Sequence, residues 1–271
     1  MHNEYKAHEA VINKIAKECG DVKTYNISLI NKKEQLALEH RAGQFFMIGV
    51  PGVGEAPISI SSSNRIKNSF DLTIRLAGKV TKALDKLKVK DKVTIRGPYG
   101  KGWPKINIDD EIVLIAGGIG LPAVKPVLDD YCHGYIHCKN LQLFYGTTHF
   151  DKLVCVRYYA LWEKECDINM TLDNSDKRWH KQVGFITQAI ADATISKAAR
   201  VFIIGPPIMY RFVIAELVKK GVADRNIYLS LERKMSCGIG VCQHCACGDK
   251  YACKDGPVFR YDKIKDIPDV I

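Results

Sequence analysis

The chain contains no apolar run of about 18 residues, so no membrane-spanning helix and no membrane insertion are expected. Its opening residues, MHNEYKAHEAVINKIAKECG, lack the basic stretch followed by an apolar stretch that marks a secretory signal. A cytoplasmic location is therefore expected, where structural disulfides are rare. Cys19, Cys132, Cys138, Cys155 and Cys166, scattered along the chain, read as free thiols on that ground. Basic residues are also unclustered. The net charge is +10, but the lysines are spread through NKKEQ, KALDKLKVKDK and VKKG, and no nucleic-acid motif accompanies them. No nucleic-acid partner is expected. The charge reads as a solvated surface, or as an attraction for anionic dinucleotides or an acidic partner protein. No Ser/His/Asp set or paired carboxylates stand out, and no siroheme or nickel site. No side chain is expected to serve as a catalytic acid, base or nucleophile. His149 and His244 read as surface or supporting residues.

With 271 residues, 46% hydrophobic and 26% charged, the chain suits two domains and a small appendage. Residues 1–107 alternate in short β-prone runs: AVINKIAKE, TYNISLI, QFFMIGV, APISISSS, FDLTIRLA and KVTIRG. Glycine and proline punctuate them, which predicts an antiparallel barrel or sandwich. One helix is expected from Thr81 (TKALDKL), with Thr81 as its N-cap. Residues 108–230 change period. Strands (EIVLIAGG, LQLFYGTT, INMTLDN, ARVFIIGPP, RNIYLSLE) alternate with helices (LPAVKPVLDDYC, LWEKEC, FITQAIADA, IMYRFVIAELVKKG). This pattern predicts a parallel sheet with helices on both faces and RNIYLSLE as the last strand. Residues 231–271 form a cysteine-rich tail.

Half of the ten cysteines lie between Cys237 and Cys253. The spacing Cys237-x4-Cys242-x2-Cys245, with Cys253 further on, is the plant-type pattern for a [2Fe–2S] cluster held by four thiolates. Gly238 and Gly240 let the backbone wrap tightly and aim N–H groups at sulfur. The alternative is zinc on Cys242, Cys245 and Cys253 with Cys247 or His244. Cys247 is surplus to the iron–sulfur pattern and is given no role.

Two glycine-bearing strand ends point to a nucleotide. IAGGIGLPAV follows a strand and opens a helix, a place where backbone N–H groups approach a pyrophosphate. GPPIM ends a later strand of the same sheet. In the barrel region, Ser59 and Thr81 offer hydrogen bonds, Arg75 offers charge and Gly78 allows close approach.

In this order, GQF (Gly43–Phe45), APIS (Ala56–Ser59), GKVT (Gly78–Thr81), GPYG (Gly97–Gly100), AGGIGLPAV, GPPIM and CGIGVCQHC…C…DGPVF resemble the ferredoxin–NADP reductase superfamily. Within it the chain resembles the iron–sulfur flavoprotein electron-transfer subunits: that of anaerobic sulfite reductase, the sulfhydrogenase gamma subunit and, more distantly, the dihydroorotate dehydrogenase electron-transfer subunit. The resemblance implies an FAD-binding barrel, an NAD(P)-binding α/β domain and a [2Fe–2S] segment. It implies that Pro57, Ile58 and Ser59 line the flavin ring, and that Ile74, Arg75, Gly78, Val80 and Thr81 hold its ribityl-phosphate side. Gly118, Gly120, Gly205, Pro206 and Met209 would meet NADH or NADPH, and Cys237, Cys242, Cys245 and Cys253 would bind the cluster. Ala56 and Ile58 replace the arginine and tyrosine of the superfamily's R-x-Y-S, so pyrophosphate charge falls to Arg75 or Lys79. Ile204 replaces a common cysteine, so no thiol is expected to act in hydride transfer.

NAD(P)H gives electrons as a hydride pair, whereas a [2Fe–2S] cluster takes one at a time. A flavin that does both is expected between them. The expected partners are the catalytic and iron–sulfur subunits of a reductase complex, with sulfite reductase favoured over an NAD(P)-linked hydrogenase or a dihydroorotate dehydrogenase. A stand-alone NAD(P)H–acceptor reductase and a zinc-stabilised nucleotide-binding module are the alternatives. Asp173, after INMTL, suits a ribose 2′-hydroxyl and points to NADH. Lys177, Arg178 and Lys181 lie close enough in sequence to argue for NADPH.

Overall fold

The computed structural model describes residues 3–271. They divide into two compact units, one formed by residues up to 102 together with 232–257, the other by 103–231 with 258–271.

The first unit is built on β1 (His8–Cys19), β2 (Val22–Leu29), β3 (Phe45–Val50), β4 (Gly54–Ser59), β5 (Phe70–Arg75) and β6 (Lys92–Tyr99), with short helices α1 (Lys32–Ala37) and α2 (Lys79–Asp85). Every pairing is antiparallel, in the order β4-β3-β6-β1-β2-β5. A bridge from Ile60, just beyond β4, to Leu72 of β5 brings the two edges together, so the sheet closes as a barrel. Residue alternation explains the closure. Tyr25, Ile27 and Leu29, then Phe70, Leu72 and Ile74, then Val93 and Ile95 sit at every second position and share one core. Each such side chain contributes about 1.5–3 kcal/mol by leaving water.

Two local details differ from expectation. Helix α1 has a signal in Asn31 and Glu34, a cap pair overlooked in a lysine-rich stretch. The Asn31 side chain accepts from the Lys33 and Glu34 N–H groups at 3.0 and 3.3 Å. Helix α2 starts at Lys79, before Thr81. Thr81 Oγ1 accepts from the Gly78 N–H at 2.8 Å and donates to the Gly78 carbonyl at 3.1 Å. Gly78 is therefore the cap, and Thr81 holds it from inside the helix.

His40 packs edge-on against Phe46 and is buried, with no hydrogen-bond partner for Nδ1 among the described residues. Burial, aided by the Lys67 charge, depresses its pKa to about 4. The unfolded chain takes up this proton first, so the contribution is full above the ordinary imidazole pKa and is lost as pH falls from there towards 4. Between pH 7.5 and 5.5 the wild type should lose ~1 kcal/mol more stability than His40→Met. Denaturant midpoints of the two proteins at both pH values check this; equal pH dependence would refute it.

The second unit holds β7 (Glu111–Gly117), α3 (Leu121–Cys132), β8 (Asn140–Thr147), α4 (Tyr159–Glu165), β9 (Asp167–Leu172), β10 (Gln182–Val183), α5 (Ile186–Asp192), β11 (Arg200–Ile204), α6 (Pro207–Lys219) and β12 (Ile227–Ser230). The strands are parallel in the order β10-β9-β8-β7-β11-β12. β7 is almost entirely buried, as expected of a parallel strand covered on both faces. The chain steps outward from β7 to β8 and β9, then crosses back to β11. This reversal puts the α3–α4 pair and the α5–α6 pair on opposite faces. Gly221, with φ +83°, ends the last helix as its position predicts.

RNIYLSLE supplies β12, but β12 is not the last strand. After the cysteine-rich stretch, in which β13 (Ala246–Cys247) and β14 (Lys250–Tyr251) form a small hairpin, β15 (Val258–Arg260) adds antiparallel to β12. The tail beyond residue 231 is thus shared between the units. VFR is β-prone and finds an unpaired strand edge there. No helix among the described residues is long and apolar enough to cross a membrane.

Candidate functional site

The cysteine loop turns on three left-handed residues, Gly238 (φ +81°), Gly240 (φ +83°) and Gln243 (φ +63°). These turns fold the loop inward on its own sulfurs. Cys245 Sγ lies 3.2 Å from Cys253 Sγ, and the Gly240 N–H donates to Cys253 Sγ at 3.0 Å. The Cys253 N–H reaches Cys245 Sγ at 3.5 Å. Cys237 Sγ accepts from the N–H groups of Ile239 at 3.4 Å and Cys242 at 3.5 Å. Burial opposes ionisation of Cys237, but these donors, with the Cys242 side chain and the Val241 N–H, outweigh it and bring the thiol down to about 6. Cys253 moves the other way, to about 12, through burial and the neighbouring Cys245.

The other candidate zinc ligands face elsewhere. Cys247 Sγ lies 3.8 Å from the Cys245 carbonyl, and His244 Nδ1 lies 2.9 Å from Ser236 Oγ. The four remaining thiols stand as two pairs, Cys237 beside Cys242 and Cys245 beside Cys253. Their all-sulfur chemistry is that of an iron–sulfur centre, while among the described residues no three ligating side chains converge on one metal position.

In the barrel, β4 carries Pro57, Ile58 and Ser59, all half-buried at the sheet edge. Helix α2 packs beside β3 and β4, and a Cβ on Gly54 would meet Val80 Cγ2 at 3.6 Å. Val80 thereby stands near the start of β4. Ile74 is fully buried in the core, while Arg75 and Lys79 are exposed. The Thr81 hydroxyl is already engaged with Gly78, so its contribution is to shape the turn.

In the second unit the two glycine-bearing strand ends meet at the switch point between β7 and β11. The glycines there differ in role. A Cβ on Gly120 would stand 2.8 Å from the Ile204 carbonyl oxygen, and one on Gly205 would stand 2.6 Å from Met209 Cε and 3.1 Å from the Gly117 backbone. These two allow close packing. Gly118, with φ +51° and open space where a Cβ would be, is the glycine facing outward. Pro206 caps α6, and Met209 fills the gap between the strand ends. Asp173 follows β9, its N–H bonded to the Thr147 carbonyl at 3.0 Å. Burial pushes its carboxyl up, against the opposing influence of His149.

Sequence reasoning missed Glu55, Arg96, Tyr99 and Met47. Met47 of β3 pairs with Pro57 on one side and Arg96 on the other. Arg96 is buried and forks onto Glu55, with Nε at 3.0 and 3.1 Å and Nη2 at 2.5 Å. No motif marks this pair. Both residues alternate with core positions (Ile95 precedes Arg96, and Glu55 shares a face with Pro57 rather than with Ile58), so the period-two pattern reads them as ordinary surface charges.

Residues 9–103 match the oxidoreductase FAD-binding domain, residues 114–214 the oxidoreductase NAD-binding domain, and residues 232–265 the iron–sulfur cluster binding domain of dihydroorotate dehydrogenase B. Sulfhydrogenase 1 subunit gamma of Pyrococcus furiosus is 37% identical over 248 residues, 85% of this chain and 82% of that one. A probable dihydroorotate dehydrogenase B electron transfer subunit of Methanocella arvoryzae is 32% identical over 92% of this chain and 89% of its own length. The chain belongs to the family of sulfhydrogenase gamma and dihydroorotate dehydrogenase B electron-transfer subunits. It is an NAD(P)H-dependent flavin and iron–sulfur oxidoreductase subunit, as the resemblance implied. The fold agrees with that of the NADH-dependent reduced ferredoxin–NADP oxidoreductase structure, at a TM-score of 0.76 and 24% identity over 95% of this chain and 91% of that one.

Proposed function

We propose that the chain is the electron-transfer subunit of a multisubunit reductase, drawing on NADH and delivering single electrons to a separate catalytic subunit. The observation that carries this reading is the packing of the four-thiol loop in the same compact unit as the strand Pro57–Ser59. When bound, FAD exchanges a hydride pair for single electrons and a [2Fe–2S] cluster relays them. Pro57, Ile58 and Ser59 would contact the flavin ring. Ile74, Gly78, Val80 and Thr81 would shape its ribityl-phosphate side, with Arg75 or Lys79 supplying charge. Cys237, Cys242, Cys245 and Cys253 would hold the cluster, and the N–H donors around them stabilise thiolate.

Gly118 would admit the nicotinamide nucleotide's phosphates, with Gly120, Gly205, Pro206 and Met209 fixing the surrounding turns. Asp173 favours a free ribose 2′-hydroxyl. Two of the three nearby cations are already engaged: Arg178 with Asp151 and Asp176, at 2.9 and 2.7 Å, and Lys181 with Glu163. That engagement further supports NADH over NADPH.

The partner is a catalytic subunit with its own iron–sulfur components. The relatives named above and the family match of the tail favour hydrogenase or dihydroorotate chemistry over the sulfite reductase partner that the resemblance put first. Anaerobic purification under native expression tests the proposal. Expected are flavin bands with a red-brown shoulder, about two iron atoms and two sulfides per chain, and a co-purifying subunit active on sulfite, hydrogen or dihydroorotate. NADH should bleach the bands with a kcat/KM roughly tenfold above that of NADPH. Colourless, zinc-containing protein would overturn the reading.

A further inference from the structure

Arg96 makes one contact that joins two parts of the first unit. Its Nη1 donates to the Cys237 carbonyl at 3.0 Å, while Nε and Nη2 grip the Glu55 carboxylate of β4. Glu55 stands two residues before Pro57. The same Nη1 lies 3.2 Å from Tyr99 Oη, and Tyr99 donates in turn to the Glu4 carbonyl. A Cβ on Gly238 would stand 2.8 Å from the Tyr99 ring and 3.2 Å from Met47 Cγ, so the loop beside Cys237 lies directly on these two side chains. Arg96, Met47 and Pro57 form one row across β6, β3 and β4.

The chemistry suits a guanidinium and no other side chain. A planar fork satisfies a carboxylate with one edge and a carbonyl with the other. The Arg96 side chain is 9% exposed, where a lone charge is costly, so Glu55 keeps Arg96 ionised and in place. Hydrogen bonding to Glu55 raises the Arg96 pKa further.

We propose that Arg96, oriented by Glu55, is the positioning residue that locks the Cys237 end of the cysteine loop onto the strand carrying Pro57–Ser59, and that the pair balances the charge felt at that end. This rests on the iron–sulfur reading above. Neither residue touches a reacting atom. Arg96 acts through the Cys237 backbone, and Glu55 acts through Arg96.

The test uses the full chain, purified anaerobically, with iron and sulfide content measured first. Wild-type protein without iron would sink the iron–sulfur reading itself, before any variant is compared. Given a cluster, a small set of variants separates positioning from general stability. Arg96→Gln leaves Glu55 as an unpaired negative charge, so at a fixed dye-buffered poise the reduced fraction of the cluster, read by electron paramagnetic resonance, should fall at least about threefold. Glu55→Gln leaves an unpaired positive charge, and the ratio of reduced to oxidised cluster should rise by a similar factor. The double variant, neutral at both positions, should return near the wild-type ratio. It should still lose cluster to a chelator roughly tenfold faster, because the loop is no longer held. Arg96→Lys keeps the charge and loses the fork, so it should restore the ratio but not the chelator resistance. Flavin content and melting temperature show that each variant has folded. Shifts in the same direction for both single variants, or wild-type chelator resistance in the Arg96 variants, would overturn the proposal.

Discussion

Serine at any one of Cys237, Cys242, Cys245 or Cys253 is expected to remove nearly all iron and labile sulfide while leaving flavin bound. Each serine deletes one soft thiolate from a set with no spare. The nearest alternatives do not face the set: Cys247 lies against the Cys245 carbonyl and His244 against Ser236. Cys247→Ser should therefore retain full iron content and serves as the internal control. The flavin bands should persist because Pro57–Ser59 and α2 belong to the barrel sheet and its flank, with core packing independent of the loop sulfurs. NADH should still bleach the flavin in the serine variants, while delivery of electrons to the natural partner stops. Iron retained at wild-type level in all four variants, or lost in Cys247→Ser, would show that the ligand set is wrong.

Gly100→Ala is expected to be the most damaging single methyl group in the first unit. Gly100 has φ +75°, and its Cβ would fall 2.6 Å from both the Gly256 carbonyl oxygen and Pro257 Cδ, and 3.1 Å from the Phe45 ring. The neighbours are backbone or a proline ring and cannot swing aside. The Lys101 N–H donates to the Gly256 carbonyl, and the Gly100 carbonyl accepts from Gln44 Nε2 at 2.8 Å, so both strands of the seam are pinned. The left-handed conformation costs an alanine about 1–2 kcal/mol, and the overlap adds about 1–3. A combined loss of ~4 kcal/mol corresponds to a melting point lower by roughly 10 °C. Gly52→Ala separates the two contributions, because Gly52 shares the positive φ (+77°) but would meet nothing within 4 Å. That control should cost only the conformational part. Similar melting points for the two variants would refute the close-contact argument.

The ease with which each part is read from sequence follows from how local its physics is. The six barrel strands and the βα alternation are written as hydrophobic periods of two and of 3.6, and both survive folding intact. The cysteine-rich segment is legible as an iron–sulfur domain for the same reason, since its spacing pattern is local in sequence. The boundary of α2 is missed by two residues because a glycine cap leaves no side-chain signature, and Thr81 looks like a cap while working from the helix's third position. β15 escapes notice because its three residues become a strand only beside β12. The Glu55–Arg96 pair is invisible because the two residues are 41 positions apart and meet across β3. Gly118 and Gly120 look equivalent in AGGIG, yet one faces open space and the other a carbonyl.

The route of the chain after Ser230 has a consequence for truncation. The cysteine segment leaves from β12 and returns as β15, and those two strands are hydrogen-bonded neighbours. The units are therefore interleaved along the chain. Ending the polypeptide after residue 231 would remove the thiols and also strip the second unit of its outermost strand, leaving the backbone of β12 as an open, adhesive border.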